Sequence, residues 1–118
     1  MIQKILSLFK KSSPIQSINT SNLEALLKQK PKTQVIDVRT AQEYRSGHIP
    51  KARNINLWDA DFAKKIQKLN KSKAYYVYCK SGIRSRKACK IMLKHGFEEV
   101  YNVRGGMLFW KGAKSKKV

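Results

Sequence analysis

The chain has 118 residues, 42% hydrophobic and 9% aromatic, which supports one compact core and leaves too little for a second domain. Its 26 Lys and Arg against 7 Asp and Glu give a formal net charge of +19, a bias toward anions that is not itself a function. Two cysteines with nine residues between them and two isolated histidines exclude a metal site by ligand spacing.

Residues 1–14 form an N-terminal arm in which Ile2, Ile5, Leu6, Leu8 and Phe9 are interrupted by Lys4 and closed by Lys10 and Lys11. It is too short and too interrupted to span a bilayer and lacks a signal-peptide cleavage site. It reads as a loosely docked arm, with contact to an anionic membrane surface as the alternative.

Ile15 to Ile18 predicts a short strand, and Thr20 or Ser21 a helix N-cap, with Ser21 and Glu24 at capping-box spacing. Leu23, Leu26 and Leu27 share one face of that helix, which Pro31 stops. Gln34 to Val38 is a buried strand whose exit carries Asp37 and Arg39. Thr40 to Ser46 predicts a short helix with Thr40 and Glu43 as its capping box and Gly47 as its end. His48, Ile49 and Pro50 connect to a further strand, Asn54 to Leu57.

A helix from Asp59 or Asp61 to about Asn70 places Phe62, Ala63, Ile66 and Leu69 inward. Ala74 to Tyr78 is an apolar strand, followed by a helix from Ser85 to His95 with Ala88, Cys89, Met92 and Leu93 as its stripe and Gly96 beyond it. Cys89 is therefore assigned to the core. Phe97 to Val103 gives the last strand, and Gly105-Gly106 turns into a short apolar segment ending at Trp110. Strands alternating with helices predict an α/β fold of three layers, with a central, mostly parallel sheet of about five strands. The domain covers residues 15–112, and residues 113–118 form a basic, solvated C-terminal tail. In such sheets functional loops gather at the C-terminal strand ends, where Asp37, Arg39 and Cys79 fall.

Cys79 stands between a strand and a helix. A sulfur there faces uncommitted N–H groups and the positive end of the helix dipole, both of which favour a thiolate and an anionic substrate. Gly82 permits a sharp bend, the N–H groups from Lys80 to Ser85 can converge on one anion, and Ser85 is placed to cap the helix. Lys80, Arg84 and Arg86 add positive charge. An inert buried cysteine requires none of these neighbours. A disulfide between Cys79 and Cys89 would sacrifice a strand end and a helix, so both thiols are expected reduced.

Asp37-Val38-Arg39, Glu43-Tyr44, Gly47-His48-Ile49-Pro50, Tyr78 through Ser85, and Gly105-Gly106 through Trp110 together resemble a single-domain rhodanese, over about residues 15 to 112. The resemblance implies a sulfurtransferase of thiosulfate:cyanide or thiosulfate:thiol type, and the reduced thiols imply a reducing, cytoplasmic compartment. Cys79 would form a persulfide and Lys80, Ser81, Gly82, Ile83, Arg84 and Ser85 would form the substrate-binding loop. Asp37 and Arg39 would brace that loop and the neighbouring turns, and His48 would hold its connector. No cofactor and no metal are implied. The expected partners are a small anionic sulfur donor such as thiosulfate and an acceptor that is cyanide, a thiol or a protein. No specific nucleic acid is implied, no transmembrane segment, and a monomer is expected.

Two positions depart from the family pattern: Lys51, where many members carry glycine, and Trp58, where a small residue is common. Trp58 and Trp110 both read as packing residues, with Trp58 alternatively bordering the pocket. Three rival readings remain: a sulfur-relay or binding module, a protein phosphatase of the cell-division-cycle type sharing this fold, and an arsenate reductase. The phosphatases place five residues between cysteine and arginine, whereas Cys79 and Arg84 have four.

Overall fold

Ten short elements, alternating strand and helix, build the domain in a computed structural model that describes residues 15–118. The arm expected over residues 1–14 lies outside the described residues. Strand β1 (Gln16–Asn19) runs directly into helix α1 (Thr20–Gln29). The cap of α1 is Asn19, not Thr20 or Ser21. Its side-chain oxygen accepts the Asn22 N–H at 2.8 Å and the Ser21 hydroxyl at 2.9 Å, so the Ser21/Glu24 capping box does not form.

After β2 (Gln34–Asp37), helix α2 (Ala41–Ser46) carries the expected reciprocal cap between Thr40 and Glu43 and closes at Gly47. Strand β3 is only Arg53–Asn54, shorter than the expected Asn54 to Leu57. The continuation still follows β2, because the Ile55 and Leu57 N–H groups donate to Asp37 and Val38 carbonyls at 2.9 and 3.0 Å. Helix α3 (Phe62–Ile66) stops short of Asn70, and Asp61 makes no side-chain cap. Strand β4 (Ala74–Tyr78) leads through the cysteine loop into α4 (Ile83–Lys94), then β5 (Glu99–Arg104) and a final turn of helix, α5 (Gly106–Phe109). The expected three-layer α/β fold is confirmed: the five strands form one sheet in the order β1-β5-β4-β2-β3, and every pairing is parallel.

Strand alternation divides the core in two. On one face Ile36, Val77 and Cys79 pack with Phe62, Ile66, Ala88, Cys89 and Met92 from α3 and α4. On the other, Val35, Tyr78 and Val103 pack with Leu23 of α1, Ile49 and Trp110. Cys89 is fully buried, as expected of a core residue. Trp110 is buried too and donates its indole N–H to the Ala113 carbonyl at 2.9 Å.

The segment read as a free tail is tied down over its first half. Ser115 pairs with His48 in an antiparallel bridge, through N–H···O bonds of 2.9 and 2.8 Å. His48 is itself fixed from both sides. Its ring stacks on Tyr44 with centroids 3.6 Å apart, and its Nδ1 bonds the Tyr44 carbonyl at 2.8 Å.

Candidate functional site

Cys79 follows the last residue of central strand β4, and its side chain is completely buried under the loop that starts α4. Gly82 adopts φ +106° at the bend. That turn aims the Gly82 N–H at the Cys79 sulfur, 3.1 Å away, and the Ser85 N–H and hydroxyl approach it at 3.4 Å each. The loop's carbonyls face the other way. Those of Cys79 and Lys80 accept the Met107 and Leu108 N–H groups of α5 at 2.9 and 3.0 Å. Gly106 makes this contact possible, since a Cβ there would lie 2.3 Å from the Cys79 carbonyl oxygen. The free N-terminal amides of α5 thus hold the loop so that its own amides serve the sulfur.

Helix α4 begins two residues earlier than the sequence predicted, so Ser85 is not its cap. The cap position belongs to Gly82, and Ser85 sits in the first turn. Its hydroxyl also bonds the side-chain oxygen of Asn102 on β5, and the Asn102 amide donates to the Gly82 carbonyl at 3.2 Å. Asn102 therefore orients both the bend and the hydroxyl beside the sulfur.

Burial pushes the Cys79 thiol up. The Ser85 hydroxyl and the N–H groups of Ser85, Gly82 and Ser81 outweigh that, and the net shift is downward. Cys89, without such donors, is pushed up to about 12 by burial and by the neighbouring Cys79 charge. The two thiols are therefore chemically distinct: one is shifted toward the anion and the other is packed as a small hydrophobe.

Arg84 is already partnered. Glu43 of α2 accepts two hydrogen bonds from its guanidinium, at 2.8 and 3.0 Å, and the same group lies 4.8 Å from the Trp58 ring centroid. The Arg84 bonds, with burial opposing, hold the Glu43 carboxyl down at about 2. Trp58 is 66% exposed, so it borders the site and does not pack in the core.

Asp37 and Arg39 are both buried and form an ion pair at 2.7 Å. Asp37 is in register with Tyr78 on the neighbouring strand, so the pair lies on the Tyr78 side of the sheet, and alternation along β4 turns the Cys79 sulfur to the other side. Asp37 accepts the Tyr78 hydroxyl at 2.7 Å, that hydroxyl accepts the Ile49 N–H at 3.1 Å, and Arg39 donates to the Gly47 carbonyl at 2.8 Å. They fix the strand end that carries Cys79 and the connector after α2, and they make no hydrogen bond to residues 80–85. A cavity of about 230 Å³ beside the loop is lined by Arg39, Glu43, Ser46, Lys80, Met107 and Leu108.

Two residues that shape the site escaped sequence reasoning. Glu43 stood out as a helix-capping residue and as part of the Glu43-Tyr44 motif, but its contact with Arg84 depends on a partner 41 positions away. Asn102 had one usable signal, a polar side chain next to Val103 within an apolar strand.

The Rhodanese-like domain family model matches residues 19–113. A Bacillus subtilis (strain 168) protein named "Putative sulfurtransferase YtwF" is 37% identical over 103 residues, covering 87% of this chain and 97% of its own. The "Thiosulfate sulfurtransferase GlpE" of Pseudoalteromonas translucida (strain TAC 125) is 30% identical over 84 residues, 71% of this chain and 78% of its own. A solved Rhodanese-like domain protein from Staphylococcus aureus matches with a TM-score of 0.79 at 31% identity, over 88% of this chain and 100% of that one. The parallel sheet, the loop at its C-terminal edge and these matches agree, and the chain belongs to the rhodanese-like domain family.

Proposed function

We propose that the protein is a sulfurtransferase in which Cys79 carries sulfur as a persulfide, taken from thiosulfate and passed to cyanide or a thiol. The Cys79 thiolate attacks the outer sulfur of thiosulfate. The sulfur–sulfur bond of the donor breaks, its electron pair leaves with sulfite, and a Cys79 persulfide anion remains. An acceptor nucleophile then attacks the outer sulfur, and the pair of the bond to Cys79 returns to its sulfur as thiolate. Each stage leaves negative charge within the loop, where preorganised N–H donors stabilise it without reorganising.

The observation that carries this reading is the convergence of the Gly82 and Ser85 N–H groups and the Ser85 hydroxyl on one sulfur, with its thiol shifted downward. Membership in the rhodanese-like family and sulfurtransferase-named relatives support a sulfurtransferase or sulfur-relay role. Arg84 adds support against phosphate chemistry. Four residues separate it from the cysteine where the phosphatases place five, and it is held by Glu43. Lys80, Ser81, Gly82, Ile83, Arg84 and Ser85 form the loop, and Asp37 and Arg39 brace the strand end behind it.

Thiocyanate formation from thiosulfate and cyanide tests the proposal. The wild type and Cys89→Ser turn over, and Cys79→Ser does not. Hydrolysis of an aryl phosphate with no thiocyanate formed would favour the phosphatase reading.

A further inference from the structure

Five large hydrophobic side chains are exposed among the described residues, and one of them, Val118, is the last residue of the chain. The other four surround the cysteine loop: Trp58 at 66%, Ile83 at 78%, Leu108 at 61% and Phe109 at 67% exposure. Ile83 is part of the loop. Trp58 lies against the Arg84 guanidinium, the Leu108 N–H bonds the Lys80 carbonyl, and the Phe109 ring lies against Gly105. Scattered apolar residues are ordinary on a surface; four gathered around one reactive group mark a contact face.

The rim of this face is basic. Lys80, Arg86 and Arg104 are exposed there, and the Arg104 backbone lies against Gly82. The acids nearby are committed, Glu43 to Arg84 and Asp59 to Lys65. With a chain net charge of +19, the complement of this rim is acidic. The apolar chains favour a protein over a nucleic acid. Only Trp58 and Phe109 among them offer aromatic faces, and Arg84 already covers Trp58.

We infer that this face docks an acidic protein which presents a cysteine thiol on a protruding segment, and that this thiol is the acceptor of the sulfur. The inference rests on the persulfide reading above. A fully buried Cys79 carries its outer sulfur only about 2 Å beyond its own, so a flat partner surface cannot reach it and a projecting thiol can. The acceptor thiolate bonds to the outer sulfur as the bond to Cys79 breaks, which leaves a persulfide on the partner and a thiolate on Cys79. No oxidant or reductant is consumed.

The test uses two synthetic peptides with a central Leu-Cys-Leu, one flanked by Asp and Glu and the other by Lys, compared at equal thiolate fraction. Persulfide loading by thiosulfate is first measured by intact mass. At low salt, the loaded protein passes sulfur to the acidic peptide about tenfold faster than to the basic one, and the advantage collapses in high salt. Replacing Leu108 and Phe109 together with Ser slows transfer to the acidic peptide about fivefold, a loss expected of contact-face anchors. Transfer to cyanide, which needs the loop but no docking face, falls less in that variant than transfer to the peptide. Binding of serine-for-cysteine versions of both peptides, followed by fluorescence anisotropy, reads docking without sulfur chemistry.

Equal rates for the two peptides, or an equal loss toward cyanide and peptide in the double variant, would overturn the docking surface alone. A single-stranded RNA oligonucleotide that displaces the acidic peptide at lower concentration than the peptide itself would reassign the face to nucleic acid and overturn it too. Failure of the wild type to load sulfur would sink the persulfide reading and the acceptor with it, whereas anisotropy would still report the surface.

Discussion

Glu43 grips Arg84 with both carboxylate oxygens, at 2.8 and 3.0 Å, across 41 residues of sequence. The same carboxylate accepts the Thr40 N–H and completes the cap of α2. One side chain therefore joins a helix start to the cysteine loop and neutralises the loop's arginine.

Glu43→Gln tests both jobs. Freed from its counter-charge, Arg84 becomes available to an anionic donor, and the KM for thiosulfate falls about threefold to tenfold, the range of one partly exposed charge contact. The carboxyl is held down at about 2 from an ordinary 4.5, so its contribution to stability is present above pH 4.5 and is lost as pH falls toward 2. Acid unfolding followed by circular dichroism shows a steeper loss in that window for the wild type than for the variant.

Ser85→Ala removes the hydroxyl beside the Cys79 sulfur and leaves the amides in place. Without the hydroxyl beside it the anion is less stabilised, and the thiol titrates higher. The pH profile of iodoacetamide alkylation at Cys79 moves up accordingly. Asn102→Asp moves it in the same direction, because a carboxylate there holds the Ser85 hydroxyl proton more strongly than the amide oxygen does and repels the thiolate.

Gly106→Ala is more damaging than Gly82→Ala. The new Cβ at 106 meets the Cys79 and Lys80 carbonyl oxygens at 2.3 and 2.9 Å, both backbone atoms, whereas at 82 the nearest atom lies 3.5 Å away and only the positive φ is strained. Urea unfolding shows a loss of about 3 kcal/mol for Gly106→Ala. Sulfur transfer falls with it, since the loop amides no longer aim at the sulfur.

Lys51 is the one non-glycine with positive φ among the described residues, at 68°. The left-handed region costs an L-residue about 1–2 kcal/mol, part of which glycine returns as chain entropy on unfolding. Lys51→Gly therefore raises stability by about 0.5–1 kcal/mol in urea. Thiosulfate kinetics stay unchanged, because Lys51 touches none of the groups around the sulfur.

The central strands and the cysteine loop were legible because local chemistry decides them. Ala74 to Tyr78 is an apolar run that begins after the polar stretch Asn70 to Lys73, and Gly82 lies where the chain must bend. Thr40 and Glu43 signal a cap at short range, and the structure forms that cap. What sequence missed depends on distant contacts. Arg84 is expected either to bind an anionic donor or to stiffen the loop, and the partner that ties it down, Glu43, is supplied only by the fold. Ser85 was read as a cap, but Gly82 starts the helix and Asn102 engages the hydroxyl. Asp37 and Arg39 are expected to brace the loop and its neighbouring turns, and the hydrogen bonds they make go to the turns and the strand end. Strand alternation turns them to the opposite face, where they hold Tyr78 and the Gly47 connector.

The central claim is that Cys79 alone holds the transferred sulfur, and intact-mass analysis after brief thiosulfate treatment tests it most directly. The wild type and Cys89→Ser gain the mass of one sulfur atom and lose it when cyanide is added, while Cys79→Ser gains nothing. Sulfur uptake that persists in Cys79→Ser, or that vanishes in a folded Cys89→Ser, would contradict the account.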